Sequence, residues 1–344
     1  MRFRFAAQIV AGCALLLGAF AASAPAAMML TPTATAAGFT LSTFAFNFPF
    51  NGNGVGPVGI GFPSSGGVLV GDYATGNFYR LSDVDGHDIS VTPISAGGYG
   101  SSQISGLANS GGTMYVALQA SNAVARITDN GTFVAAVASG FPNSGWGGLA
   151  TGLVTNPNNG HLFVSEPSSW GGNPVSDLNP ATGTFTTFVG ASFDGMTTDG
   201  NVLYGADISQ QRIRGFSLSS GNYGAEVYDS PVISGLDGSA LGTGSLAGNI
   251  FVNTNGGSLI EVNLATNAET VIGTGGSRGD FVSVDPYTGT LLLTQTDSIL
   301  RLTPPAGGGF NGGNVIPEPA TLTLFGIGGV GLMVCALRRR KEAA

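Results

Sequence analysis

The chain contains only two cysteines, and both lie in its terminal segments, Cys13 near the start and Cys335 near the end. The long region between them can therefore form no disulfide, and it offers no thiol nucleophile and no cysteine-ligated metal site. Its stability would have to come from a hydrophobic core and from the way its sheets close on one another.

Lysine is scarcer still, because the only one is Lys341. The body of the chain, residues 27–316, carries six arginines and all but two of the 20 acidic residues. Proteins that bind a phosphate backbone depend on clustered lysine and arginine. The acidic body therefore excludes nucleic acid as the expected partner.

Histidine is limited to His87 and His161. Neither has a second histidine, a cysteine or a carboxylate at the sequence spacing typical of a metal site. The many serines show no nucleophile elbow with a paired base. The sequence therefore assigns no catalytic residue, and it disfavours a serine hydrolase.

The N-terminus has the pattern of a secretory signal. Two arginines precede an apolar run from Ile9 to Ala22, and the small residues Ala24 and Ala26 follow. The run is shorter than the roughly 20 residues that a membrane-spanning helix requires. We predict a signal helix over residues 1–26, cleaved after Ala26 and exported through the Sec machinery. An uncleaved N-terminal anchor is the alternative.

The C-terminus has a different pattern. Pro317-Glu318-Pro319 is followed by the uncharged run 320–337 and then by Arg338, Arg339, Arg340 and Lys341. At about 1.5 Å per residue the uncharged run reaches roughly 27 Å, close to the thickness of a hydrocarbon core. Because positive residues stay on the cytoplasmic side, the body would lie outside the inner membrane. The pattern predicts a C-terminal transmembrane helix with a basic stop.

The order of Pro-Glu-Pro, glycine-rich apolar run and terminal arginine cluster resembles the PEP-CTERM sorting signal of Gram-negative bacteria. The resemblance covers residues 317–341 and implies processing by an exosortase, usually in organisms that make exopolysaccharide and biofilm. It implies an inner-membrane-anchored form facing the periplasm, and then a location at the cell surface or in the extracellular matrix. It implies nothing about the task of the body.

A repeat of short strands fills the body. Six apolar strand cores recur 41 to 48 residues apart, at 68–70, 114–116, 162–164, 203–205, 250–252 and 291–293. About ten residues later comes a second strand of alternating polarity, whose third residue is often charged, as in Arg301. Hairpin turns such as Asp85-Gly86 follow in phase. Four strands in each of six units favour an all-β, six-bladed β-propeller over a β-sandwich.

The repeat resembles NHL-type and gluconolactonase-type propellers over residues 60–303. A propeller needs closure, and the alternating phenylalanines in 39–50 predict a strand that completes the last blade. The prolines after Thr303 could not supply that strand. The predicted map is then a propeller over 27–303, a Pro/Gly-rich linker over 304–316 and the sorting segment.

Three acids occupy related places in the repeat. Asp194 and Asp280 fall at the same position of the innermost strand in units four and six, and Asp237 matches them in unit five. Propellers with hydrolase or lyase activity place metal-binding carboxylates there, and calcium requires several such oxygens. The acids are therefore candidate calcium ligands. The alternative is that each Asp-Gly pair simply forms the turn into the strand.

Two tryptophans stand in predicted loops, Trp146 and Trp170, each flanked by glycine and serine. A flat exposed ring beside amide side chains suits carbohydrate, and both are candidate ligand-binding residues. Burial as a loop plug is the alternative.

These features favour a non-enzymatic binding module, with polysaccharide as the candidate ligand. The alternatives are a metal-dependent lactonase- or lyase-like enzyme and a structural spacer of the biofilm matrix.

Overall fold

The computed structural model describes residues 27–101, 103–142, 152–165 and 174–311. The predicted signal segment 1–26 and sorting segment 317–341 lie outside these ranges. Within them, no helix is both long enough and apolar enough to cross a membrane.

The described residues form one short α-helix, α1 (Pro32–Ala37), and many short strands. The strands are β1 (Met29–Leu30), β2 (Thr40–Phe46), β3 (Pro57–Gly61), β4 (Val68–Asp72), β5 (Asn77–Leu81), β6 (His87–Asp88), β7 (Ile104–Ser110), β8 (Thr113–Leu118), β9 (Ala123–Ile127), β10 (Phe133–Ser139), β11 (Leu153–Thr155), β12 (Leu162–Val164), β13 (Val175–Asn179), β14 (Thr184–Val189), β15 (Phe193–Thr198), β16 (Val202–Asp207), β17 (Arg212–Ser217), β18 (Glu226–Asp229), β19 (Leu236–Gly244), β20 (Asn249–Thr254), β21 (Leu259–Asn263), β22 (Glu269–Thr274), β23 (Val282–Val284), β24 (Leu291–Thr294), β25 (Ser298–Thr303) and β26 (Gly308–Asn311).

These strands form six blades, which confirms the predicted six-bladed propeller. Neighbouring strands pair antiparallel except for the short parallel pair of β2 and β6. The second, third and fourth blades are four consecutive strands each, β7 to β10, β11 to β14 and β15 to β18. The fifth blade adds β1 to its outer edge and β26 to its inner edge. In the first blade, the described residues give three strands, β3 to β5, and one further bridge between Phe78 and Ala96.

The core consists of six apolar clusters, and most of them lie between neighbouring blades. One cluster joins Leu69 and Phe78 of the first blade to Leu107 and Met114 of the second. Close packing requires small residues at some strand positions. A Cβ added at Gly205 would lie 2.1 Å from Cδ2 of Phe193, so only glycine leaves room for that buried ring.

The N-terminal strand completes the sixth blade. β2 pairs antiparallel with β25, from Thr40 opposite Thr303 to Phe46 opposite Ser298. The sixth blade thus holds strands from both ends of the propeller, as the alternating phenylalanines predicted. The strand is shorter than the predicted 39–50, because Asn47 adopts a left-handed conformation (φ 65°) that ends the extended run.

One sequence prediction about connections was wrong, and one connection joins two blades. After the first blade, the short strand β6 pairs parallel with β2 of the sixth blade. The predicted linker 304–316 contains a strand, β26, which pairs with the second half of β19. Phe310 is the reason, because its buried ring meets the Phe251 ring at 4.9 Å between centroids.

Candidate functional site

The innermost strands of the blades all begin at one end of the central channel, which we call the acid end. Asp194 and Asp237 are the second residues of β15 and β19, and Asp280 lies two residues before β23. The structure therefore brings together the three acids that the repeat phase placed in equivalent positions. A role for them as metal ligands stays a prediction.

Asp237 is the deepest of the three. Its side chain is only 1 % exposed, and its carboxylate oxygens make no hydrogen bond of good geometry to the described residues, although the side chains of Asn255 and Asp194 lie near enough to interact with it. Burial, followed by the charges of Asp194 and Asp280, raises the pKa of Asp237 well above its ordinary value. Burial also raises the pKa of Asp194 to about 7, and the Asp280 charge adds to the effect. Such raised pKa values favour the protonated carboxyl.

Arg278 supplies the positive charge at the acid end. Its Nε donates to Oδ1 of Asp280 at 2.5 Å, and its side chain remains 37 % exposed. Asp280 is itself nearly buried, and its backbone N–H donates to Oγ1 of Thr294 at 3.2 Å. Burial raises the pKa of Asp280, although the Arg278 charge opposes that rise. The pair thus places a donor group and an acceptor group side by side at the channel mouth.

A cavity of about 220 Å³ opens at the acid end, and we call it the axial pocket. It is lined by Val55, Val58, Tyr73, Ser105, Gln119, Asp194, Ile208, Arg278 and Asp280. Its volume is below the roughly 300–1,000 Å³ of sites for drug-sized ligands. The axial pocket therefore suits a small polar ligand or the terminal unit of a polymeric ligand.

The turns between second and third strands hold part of the pocket wall. In the first blade, Oδ1 of Asp72 accepts from the N–H groups of Ala74 and Thr75, which fixes the turn that carries Tyr73. In the fourth blade, Asp207 accepts from Ser209 and Gln210 in the same way and positions Ile208. Asp207 is buried, and its Oδ2 accepts from Nη1 of Arg214.

The described residues contain no ready-made metal site. Among residues 27–101, 103–142, 152–165 and 174–311, no three histidine, cysteine or acidic side chains are arranged to hold a metal ion. The carboxylate of Asp280 is engaged by a guanidinium, which has no ligand atom for a metal. The candidate calcium ligands are thus close together, but the positive charge beside them is the Arg278 side chain.

The two histidines lie away from the axial pocket. His161 precedes β12 at the opposite end of the blade from the acids, and its Nδ1 contacts Oδ1 of Asp177 at 2.8 Å. Asp177 is 16 residues from His161 in the sequence, and strand pairing brings the two side chains together. The Tyr223 hydroxyl also donates to Asp177. His87 packs edge-on against Phe44 and contacts the Ser82 carbonyl at 2.9 Å.

Several predicted site residues lie outside the described ranges. They are the candidate ligand-binding residues Trp146 and Trp170, and the sorting residues Pro317, Glu318, Pro319, Arg338, Arg339 and Arg340.

Sequence comparison identifies a sorting motif at the C-terminus. Residues 315–341 match the PEP-CTERM protein-sorting motif. No curated protein matches the chain.

The body is similar in structure to several solved propellers. A gluconolactonase from Xanthomonas campestris superposes with a TM-score of 0.62 and 15% identity, over 82% of this chain and 97% of that one. A luciferin-regenerating enzyme superposes with a TM-score of 0.59 and 12% identity, over 81% of this chain and 99% of that one. Virginiamycin B lyase from Staphylococcus aureus superposes with a TM-score of 0.51 and 13% identity, over 77% of this chain and 99% of that one. At these identities the likeness concerns the fold alone.

Proposed function

We propose that this protein is an exported, exosortase-processed surface or matrix protein whose propeller is a non-enzymatic binding module. In this proposal the axial pocket holds one hydroxyl-rich unit, such as the terminal sugar of an exopolysaccharide. The sorting motif at residues 315–341 supports the first part. The composition of the axial pocket supports the second.

The observation that carries the binding proposal is the Arg278–Asp280 pair in the pocket wall. Sugar hydroxyls both donate and accept hydrogen bonds, so a site for them needs donors and acceptors close together. Arg278 donates, Asp280 and Asp194 accept, and the Gln119 amide does both. Tyr73 and Ile208 add apolar surface for the carbons of a sugar ring.

Export and anchoring complete the proposal. The signal segment 1–26 would direct the chain through the Sec machinery, and the apolar run 320–337 would hold it in the inner membrane, facing the periplasm. Exosortase processing at Pro317-Glu318-Pro319 would then place the propeller at the cell surface or in the biofilm matrix of a Gram-negative cell.

The test compares two glutamines in equivalent turns. The purified mature protein is applied to a glycan array, with and without calcium, and the best ligand is titrated against Gln119→Ala and Gln210→Ala. Gln119 lines the axial pocket and Gln210 does not. Loss of one hydrogen bond should weaken binding by about tenfold in Gln119→Ala alone. Equal affinity of the two variants would refute binding in the axial pocket.

A metal-dependent lactonase- or lyase-like enzyme is the second candidate, and the structural likeness to a gluconolactonase supports it. Addition of calcium or zinc to the purified protein with a sugar lactone, followed by acid release, tests this candidate. Hydrolysis that is lost in Asp194→Asn would establish it. A rate equal to that of the uncatalysed lactone would exclude it for that substrate class.

A further inference from the structure

We propose that Arg278 is the resident cation of the acid end, and that it replaces a bound divalent ion there. Under this proposal the native pocket needs no metal. Removal of the guanidinium charge would turn the same acids into a divalent-cation site. The inference concerns the charge balance of the acid end and does not depend on which ligand the axial pocket binds.

The first support is the number of acids around one cation. Arg278 contacts Asp280 directly, and the charges of Asp237 and Asp194 also act on its guanidinium. Asp237 is nearly inaccessible, and its two carboxylate oxygens make no hydrogen bond of good geometry to the described residues, although the Asn255 and Asp194 side chains lie near it. A buried carboxyl without partners is costly unless a cation or a proton compensates it. Asp237 is therefore compensated by the nearby Arg278 charge or by a bound proton, and loss of the Arg278 charge would leave the acid end without its cation.

The second support is the tight local structure that holds Arg278. The backbone N–H of Ser277 donates to Oε1 of Gln295 at 2.7 Å, and Oγ of Ser277 accepts from the Thr296 N–H at 2.9 Å. A Cβ added at Gly279 would lie 2.2 Å from Nδ2 of Asn253, so the segment passes close to that side chain. The contacts of Ser277 and Gly279, the residues on either side of Arg278, therefore hold Arg278 at the acid end.

The chemistry of the two kinds of cation differs. Calcium requires six to eight oxygen ligands, whereas a guanidinium balances carboxylate charge with a few directed hydrogen bonds. Of the three guanidinium nitrogens of Arg278, only Nε has a hydrogen-bond partner among the described residues. The side chain is partly exposed in the pocket wall. The terminal nitrogens are thus left to donate to a ligand. An arginine can balance the acids and contact the ligand without any metal.

The test measures the thermal unfolding of purified mature protein in EDTA and in millimolar calcium, together with terbium luminescence as a direct probe of cation binding. The native protein should show the same melting temperature in both buffers and no bound terbium. Arg278→Gln should melt lower in EDTA and recover by about 5 °C or more in calcium, because binding to the folded state alone stabilises it.

Three further variants separate charge from shape. Arg278→Lys keeps the charge and should behave like the native protein. Arg212→Gln removes an exposed arginine paired with Asp229 and should gain no calcium response. Arg278→Gln combined with Asp237→Asn should lose most of the response, and it should fold in EDTA even where Arg278→Gln alone does not.

Two results would overturn the proposal. One is calcium stabilisation or terbium binding by the native protein at the acid end, abolished by Asp237→Asn. The other is an Arg278→Gln variant that folds in EDTA and neither binds terbium nor responds to calcium.

Discussion

Arg301 donates from Nη1 to Oδ2 of Asp285 at 3.0 Å, and both side chains are buried inside the sixth blade. The same guanidinium reaches Asp85 at 2.8 Å and also pairs with Asp83, which lie in the turn after the first blade. Its carbon lies 5.0 Å from the centre of the Phe44 ring on β2. One arginine thus connects the strands that close the propeller.

Loss of Arg301 should therefore weaken the closure. Arg301→Met should lower the free energy of unfolding by about 3–5 kcal/mol, because it leaves Asp285 buried without its cation. Arg212→Met breaks an ion pair that is exposed on both sides, and it should cost less than about 1 kcal/mol. Chemical denaturation of the two variants and the native protein measures the difference. Equal small losses would show that Arg301 is not needed for closure.

Stability should depend on pH through Asp194. Its folded-state pKa of about 7 lies above the ordinary value of 3.8, so the folded protein binds more protons between these values. Its contribution to stability is therefore largest below about pH 4 and decreases as the pH rises to about 7. Asp194→Asn should raise the melting temperature at pH 8 and flatten this part of the profile.

Asp199→Asn is the matched control for the pH profile. Asp199 is exposed in a turn, and its Oδ1 accepts from Asn201 and Val202, as an asparagine oxygen also can. This variant should keep the native profile. A native profile in Asp194→Asn as well would show that Asp194 does not carry the pH dependence.

The strand β26 should be needed for full stability. Phe310→Ala should lower the free energy of unfolding by about 3 kcal/mol, because it removes a buried ring that packs on Phe251. A chain ending at Asn314 keeps the strand and should melt like the mature protein. A chain ending at Ala306 should melt markedly lower. Identical melting of the two truncated chains would show that β26 contributes nothing.

The sorting motif should control where the protein ends up in its host. Changing Pro317-Glu318-Pro319 to three alanines should leave an unprocessed form in the inner membrane, detected by fractionation and by its mass. Changing Gly312-Gly313-Asn314 to alanines should leave processing intact. Normal processing of the first variant would refute the sorting assignment.

The sequence predicts the parts of this fold that repeat. Strand phase follows from apolar alternation, and that phase alone brought Asp194, Asp237 and Asp280 to one end of the channel. Phe44 and its alternating neighbours likewise predicted the closing strand. In each case the regular spacing of apolar residues or of strands determines where a residue lies in the propeller.

The features that the sequence did not predict depend on contacts between residues that are distant in the sequence, and these contacts leave no mark on the periodicity of apolar residues. Arg301 stands where alternation predicts a solvated face, yet acids from a distant turn cover it. Arg278 lies in a glycine-rich connection outside the strands, so its place among the acids depends on the packing of that connection. Asp177 reaches His161 only through strand pairing. β26 was missed because a single phenylalanine among glycines gives no alternation.

The position of β26 has a mechanical consequence. The strand lies against the inner edge of β19, and the Asn311 carbonyl accepts from Oγ1 of Thr197 on the inner strand of the fourth blade. The last described residue therefore sits near the central axis, where tension on the tail is passed to several inner strands instead of peeling one outer strand away. A body held at its axis can also swivel about its attachment while the axial pocket stays centred, so one binding site keeps its position at every angle of rotation.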